Sequence, residues 1–389
     1  MFGDIYNGKR VFVTGHTGFK GSWLCLWLQG LGADVAGYSL EPQTKPSHFN
    51  LLGLDMASVI GDIRDIEKLK RAVRTHRPAA VFHLAAQPLV RYSYRRPVET
   101  FETNVVGTSN LLEACRETES VRAIVNVTSD KCYENKEWVW GYRESDALGG
   151  YDPYSASKAC SEIVTSAYRS SFFNPEDYGR SHGVLLSSAR AGNVIGGGDW
   201  AEDRLIPDIM RAIDENKKML IRNPRASRPW QHVLDPLSGY LMLGQKLLEG
   251  KKEFAEAWNF GPDAETEVED VVRGIKRFLD RFEYEIQPDG ASRHEAGTLK
   301  LDCSKARKRL KWRPNWGRDK TFDVTAKWYK RFYEDGKAGS RDDLGLYIKD
   351  ANDGHLEWAD LLPGQKGRDI QTNKKTGLCR DIQKNGPNE

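Results

Sequence analysis

No cysteine in this chain has a second one close enough to form a Cys-x-x-Cys pair. The six stand apart at 25, 115, 132, 160, 303 and 379, and the eight histidines show no close metal-ligand spacing. The pattern predicts reduced thiols and no metal site. No apolar run is long enough to cross a bilayer, and no basic stretch followed by an apolar one opens the chain. Neither a membrane partner nor a signal peptide is therefore expected. One-signed charge is missing too. The 58 Lys+Arg against 55 Asp+Glu leave a net +3, too little for nucleic acid or an anionic membrane to be the main partner. No internal repeat is visible. What remains reads as a cytoplasmic protein of ordinary composition, 39% hydrophobic and 29% charged over 389 residues, with room for a large core and two substructures.

The first half alternates short β-branched runs with helical patterns. Strands are predicted at Arg10–Thr14, Asp34–Tyr38, Ala57–Gly61, Ala80–Leu84, Val121–Thr128 and Val184–Ala189. Helices are predicted at Lys20–Leu31 and near 65–76, 97–117 and 153–173. Parallel neighbours need crossover connections, so this order predicts an α/β fold: a Rossmann-type doubly wound parallel sheet with helices on both faces. After Gly192 the texture changes. Leu205–Glu215 and Pro236–Glu249 read as helices and Trp258–Phe260 as a strand that returns to the main sheet. The expected division is a dinucleotide-binding domain over 1–192, rejoined by about 233–262. A smaller mixed α/β substrate-binding domain follows from 193–232 and 263–340, then a polar C-terminal tail over 341–389, irregular and partly disordered.

Gly15-His16-Thr17-Gly18-Phe19-Lys20-Gly21 lies between the first strand and the first helix. Glycines at this spacing allow a tight turn and let backbone amides approach a pyrophosphate at the helix N-terminus. The alternative is a glycine-rich turn without a ligand, but the β-α-β context favours a dinucleotide. In such sheets the ligand lies off the carboxyl ends of the strands. Leu84-Ala85-Ala86 and Thr128 fall at strand ends beside the loop, and Asp62-Ile63 after the third strand suits an adenine. The acid usual at the end of the second strand is replaced by Gly37-Tyr38-Ser39, and no arginine occupies that turn. NAD is preferred to NADP.

The chemistry-bearing residues fall in 128–158. Tyr154 and Lys158 are four apart, which places both on one helix face. A nearby ammonium favours a phenolate and lowers a tyrosine pKa from its usual value of about 10. Asp152-Pro153 puts Tyr154 in the first helical turn. Thr128-Ser129-Asp130-Lys131-Cys132-Tyr133 adds an acid and a second amine that simple alcohol oxidation does not require. An aspartate and lysine after a strand are ordinarily a solvated turn; Tyr154 and the glycine loop give them a chemical reading. Cys132 reads as a small buried side chain, and His16 and His83 as groups that satisfy the backbone near the cofactor. Among Lys217, Lys218, Arg222, Arg225 and Arg228, the lysines read as solvated. Arg228, followed by Arg222, suits a diphosphate because a guanidinium fork matches phosphate oxygens, with Asn193 adding a neutral contact.

Together the glycine loop, His83-Leu84-Ala85-Ala86, Asn104-Val105-Val106-Gly107-Thr108 and Tyr154-x-x-x-Lys158 resemble the extended short-chain dehydrogenase/reductase superfamily. More narrowly, the chain is similar to the CDP-glucose 4,6-dehydratases. That similarity rests on Gly15–Gly21, Ala85–Arg91, Thr128–Tyr133, Arg190–Trp200 and Arg228–Val233, within roughly residues 10–320. The resemblance implies that Tyr154 deprotonates the sugar's carbon-4 hydroxyl while a hydride passes to a tightly held NAD that is regenerated each turnover. Lys158 would hold the ribose and Ser129 share the hydroxyl's hydrogen bond. Asp130 would protonate the hydroxyl leaving carbon 6, and the hydride would return there. Asn104 would support the cofactor, and Gln87, Arg91, Arg204, Leu205 and Gln231 would contact the nucleotide sugar. Lys131 stands where related dTDP-glucose and GDP-mannose enzymes carry a glutamate base. A lysine acts as a base only when neutral, so Lys131 is either that base or a cation stabilising the enolate. Helices 97–117 and 153–173 would pair between subunits in a homodimer or dimer of dimers. Three other functions fit some of these residues. A dehydratase acting on UDP-N-acetylglucosamine or dTDP-glucose shares the fold. A nucleotide-sugar 4-epimerase would leave Asp130 without a task, and an NAD-binding sensor or scaffold would leave the whole set idle.

Overall fold

The structure is a computed structural model that describes residues 1–221, 223–279, 282–286 and 297–359. Arg222 and the stretch from Lys366 onward, expected to be disordered, lie outside those residues. Seven strands form one sheet: β1 (Arg10–Thr14), β2 (Asp34–Ser39), β3 (Ala57–Ile60), β4 (Ala80–His83), β5 (Ala123–Val127), β6 (Leu185–Ala191) and β7 (Ala257–Phe260). Their order is β7-β6-β5-β4-β1-β2-β3, and every neighbouring pair is parallel. The chain order reverses between β1 and β4, which opens a crevice at their carboxyl ends. The expected doubly wound sheet is present.

Strand alternation builds two cores. Val11 and Val13 of β1, Phe82 of β4 and Val125 of β5 face one cluster, while Phe12, Val81 and Ile124 face the other. Successive side chains of a strand point to opposite faces, so a strand covered on both sides is apolar throughout. Eight helices matter for the site: α1 (Phe19–Gly30), α2 (Ile66–His76), α3 (Gly107–Arg116), α4 (Pro153–Ser171), α5 (Leu205–Asp214), α6 (Leu234–Leu248), α7 (Arg318–Asp335) and α8 (Ser340–Asp353). α1 and α6 cover the first face and α2 and α3 the second. α1 is buried continuously from Gly21 to Leu28; it is apolar all round because it is enclosed all round. No helix among the described residues is long and apolar enough to cross a membrane.

Two expectations change. The helix predicted over 97–117 is interrupted: Pro97–Phe101 leads into a π-helical turn, Glu102–Val106, before α3 begins. Asn104 lies in that widened turn. Its amide accepts from the Gln87 N–H at 2.8 Å and donates to the Gln87 carbonyl at 3.1 Å. The segment after Gly336, expected to be irregular, forms α8 instead. Leu344, Tyr347, Ile348 and Ala351 recur at helical spacing and are all buried. Trp358 then stacks on Phe2 at 5.2 Å and on Tyr347 at 5.7 Å. The polar residues between these positions masked an apolar stripe of period 3.6.

Candidate active site

The cofactor loop starts from Gly15 at φ +75°, where a Cβ would lie 2.7 Å from the Ala85 nitrogen. A Cβ on Gly21 would lie 2.0 Å from the Gly15 carbonyl oxygen. Neither position tolerates a side chain. Gly18 is the N-cap of α1 and offers no side-chain cap, so the first amides of that helix face the crevice. Thr14 joins the two sides of the switch point: its Oγ1 accepts from the Leu84 and Ala85 amides, at 3.2 Å each. This cradle of backbone amides, shaped by two glycines, fits a dinucleotide pyrophosphate.

From the cradle a single cleft of about 1340 Å³ runs across the strand ends. Gly15, Thr17, Gly18, Phe19, Lys20 and Gly21 line it, as do Asp62, Ile63, Leu84, Ala85, Ala86 and Thr128. Ser129, Asp130, Lys131, Tyr154 and Lys158 form its floor, and Gln87, Arg91, Asn193, Arg204, Leu205 and Arg228 its far side. Three expected residues lie behind the wall. His16 is buried against Gly37 and bonds Ser58 Oγ at 2.7 Å. Asn104 also donates to Ser157 Oγ at 2.8 Å, and Gln231 donates to the Phe260 carbonyl at 2.9 Å. These three shape the site from outside it.

β5 ends at Val127, and the chain turns at once into a short 3₁₀ helix, Asp130–Cys132, capped by Ser129. The turn holds Asp130 fully buried. Its Oδ1 accepts from Ser129 Oγ at 2.9 Å and from Lys131 Nζ at 3.4 Å, while its Oδ2 is buried with no partner among the described residues. Lys131 Nζ also reaches Asn193 Oδ1 at 3.4 Å. Opposite, the Asp152 carboxylate caps α4 by accepting from the Ser155 amide at 2.9 Å, which fixes Tyr154 in the first turn. Burial pushes the Tyr154 phenol up to about 12; Ser129 and Arg204 pull it down, and Asp130 adds to the rise. The expected depression of this phenol by Lys158 does not appear; desolvation dominates instead. Lys158 Nζ contacts the Val127 carbonyl at 3.5 Å, and burial lowers its ammonium to about 8.

Lys20 is also brought down to about 7, first by burial and then by Arg204. Sequence reasoning missed what holds several of these groups. Asp199 Oδ2 accepts from Arg204 at 2.9 Å, and Arg64, on the cleft wall, donates to Asp62 Oδ2 at 2.6 Å. Asp199 lies five residues before Arg204 and Asp62 two before Arg64, so each pair was visible as a close opposite-charge spacing.

A profile of the family described as GDP-mannose 4,6 dehydratase matches residues 12–324. The chain belongs to this family. Within the 4,6-dehydratases it is 55% identical over 333 residues to the CDP-glucose 4,6-dehydratase of Salmonella typhimurium, covering 84% of this chain and 92% of that protein. Among solved structures it is similar to a UDP-glucose 4-epimerase of Thermus thermophilus in complex with NAD, with TM-score 0.70 and 25% identity over 82% of this chain and 99% of that one. A dTDP-glucose 4,6-dehydratase of Bacillus anthracis shares the fold, with TM-score 0.68 and 22% identity over 84% and 98% of the two chains. The dehydratase family thus joins the same sheet, crevice and glycine cradle that the sequence predicts.

Proposed function

We propose that this chain is an NAD-dependent CDP-glucose 4,6-dehydratase, a hydro-lyase that converts CDP-D-glucose to CDP-4-dehydro-6-deoxy-D-glucose and water. One observation carries the reading: in a chain 55% identical to such an enzyme, the buried carboxyl of Asp130 shares a cleft floor with Tyr154, Ser129, Lys131 and Lys158. A nucleotide-sugar 4-epimerase has no use for an acid at carbon 6, so Asp130 favours water loss.

The glycine cradle, with Asp62 and Ile63 at the adenine end, would hold NAD, which when bound takes the carbon-4 hydride and returns it at carbon 6. Tyr154 accepts the carbon-4 hydroxyl proton, with Ser129 sharing the hydrogen bond. A phenol raised by burial gives up its own proton only beside cations, which Arg204 and Lys158 would supply. The carbon-4 ketone acidifies the carbon-5 proton, which would pass to water admitted to the cleft and be returned to carbon 5 as the hydride reaches carbon 6. Asp130 delivers a proton to the departing carbon-6 hydroxyl, and it must carry that proton at this step. Lys131 bonds to Asp130 and Asn193, a position that suits a cation stabilising the enolate. Arg228 and Asn193 suit the diphosphate.

Oligomerisation and location follow the same reading. Val98, Phe101 and Val106 along 97–106 and Ile163 on α4 are exposed apolar residues, suited to pairing these helices between two copies. Five free cysteines with no disulfide among the described residues suit a cytoplasmic enzyme. Purified protein incubated with CDP-, dTDP-, UDP- and GDP-glucose tests the function. A 4-keto-6-deoxy product from CDP-glucose is expected. A 4-epimer still hydroxylated at carbon 6, or no product from any of the four, would discard the reading.

A further inference from the structure

Two turns beyond Tyr154, on the α4 face that carries Tyr154 and Lys158, Glu162 is buried at 3% exposure. One of its carboxylate oxygens accepts from Thr128 Oγ1. The other accepts from Ser188 Oγ at 2.7 Å and Arg190 Nη2 at 2.9 Å. Arg190, equally buried on β6, donates through Nη1 to the Tyr133 hydroxyl at 2.8 Å, which in turn donates to Asn259 Oδ1 on β7 at 2.7 Å. One carboxylate thereby ties together β5, the turn carrying Asp130, α4, β6 and β7. The proposed reaction assigns no task to Glu162 or Arg190. Ion pairs this deeply buried add little net stability over well-packed apolar side chains, so stability alone does not explain them.

We propose that Glu162 is a positioning residue of the dehydratase: its carboxylate, buried one helical turn beyond Lys158, is the counter-charge of that side chain, and its hydrogen bond from Thr128 sets Ser129 and Asp130 against Tyr154. This rests on the roles of Tyr154 and Lys158 given above. The charged and titratable groups around the pair are consistent with it. Lys158 shares its field with Glu162 on its own helix, Cys132 from the 3₁₀ turn, Lys20 from α1 and His83 at the end of β4. Glu162 faces Arg190 on β6, Cys132, and Arg169 further along α4. Burial lowers Lys158, and Glu162 is the largest influence raising it again, ahead of Cys132. Burial alone would raise the Glu162 carboxyl, but Arg190 and the two hydroxyl donors bring it below its ordinary value. It is therefore an anion over the whole working range.

The test compares wild type with Glu162→Gln, which keeps the shape and an acceptor for Thr128 but removes the charge. The pH dependence of kcat and KM for CDP-glucose is measured beside the melting temperature. In the variant the alkaline limb of kcat is expected to move about one pH unit lower, with KM within about twofold. A lowered melting temperature with an unmoved alkaline limb would overturn the proposal and leave Glu162 a structural residue. Should Glu162→Gln not fold, Glu162→Asp, which shortens the arm that carries the charge, takes its place. It should weaken the anion's anchoring and move the same limb, by less, in the same direction; an unchanged limb there overturns the proposal too. A wild-type chain inactive on CDP-glucose overturns the functional reading itself, whereas wild-type turnover with an unshifted variant overturns only the role of Glu162.

Discussion

The two walls of the cleft are built differently. The floor stands on β5 and the 19-residue α4, and most of its polar groups are buried and bonded: Thr128 to Glu162, Ser129 to Asp130, Lys158 to Val127. The far wall is made of two-residue strand pairs, Val194–Ile195 with Gln231–His232 and Ser227–Arg228 with Thr266–Glu267. The cations beside it stand on helices and are wetter: Arg91 lies in the short helix Val90–Arg95 and Arg204 precedes α5, with side chains 30% and 31% exposed. A proton transfer tolerates errors of a fraction of an ångström, so its donors and acceptors sit on long, packed elements. A diphosphate would be held by long side chains, whose reach absorbs small errors of the backbone.

That contrast is broken most severely by Tyr154→Phe. Removing the phenol hydroxyl should lower kcat by about a thousandfold or more while leaving nucleotide-sugar binding within about threefold, measured by steady-state turnover and calorimetric titration. An active variant would take Tyr154 out of the chemistry. Asp130→Asn keeps the turn's shape but has no acidic proton. Here kcat should fall by about a hundredfold, with reduced nicotinamide accumulating in single-turnover absorbance because oxidation outruns water loss. Gly192 lies where the walls meet, and a Cβ there would lie 2.4 Å from Pro229 Cγ and 3.1 Å from Asp130 Oδ2. Gly192→Ala should therefore press the far wall against the acid and lower kcat by about tenfold, with little change in KM. Arg228→Ala sharpens the comparison from the other side. It should raise KM about tenfold with kcat within about threefold, and a matching fall in kcat would place Arg228 in the chemistry instead.

The floor was the more legible wall. Tyr154 and Lys158 announce themselves by spacing, Asp152-Pro153 by its helix-start chemistry, and the glycine loop by its place between β1 and α1. All three are local patterns, and local patterns survive in a sequence. Glu162 was within reach of the same logic, being four residues beyond Lys158, but its partners Thr128, Ser188 and Arg190 come from separate strands that only the folded sheet brings together. His16, Asn104 and Gln231 belong to motifs that flank the cleft without facing it; a motif fixes neighbourhood, and the rotamer and turn decide orientation. The far wall was the harder one because strands of two residues carry no periodicity. α8 was missed for another reason: its apolar stripe is regular, but mean polarity hid it.

The stacking of Trp358 on Phe2, supported by the Phe2 amide bonded to the Trp358 carbonyl at 2.7 Å, clasps the residues ahead of β1 to those after α8. Phe2 also meets Tyr6 and Trp27 edge to face, so loosening the residues after α8 would bare aromatic surface of the first core.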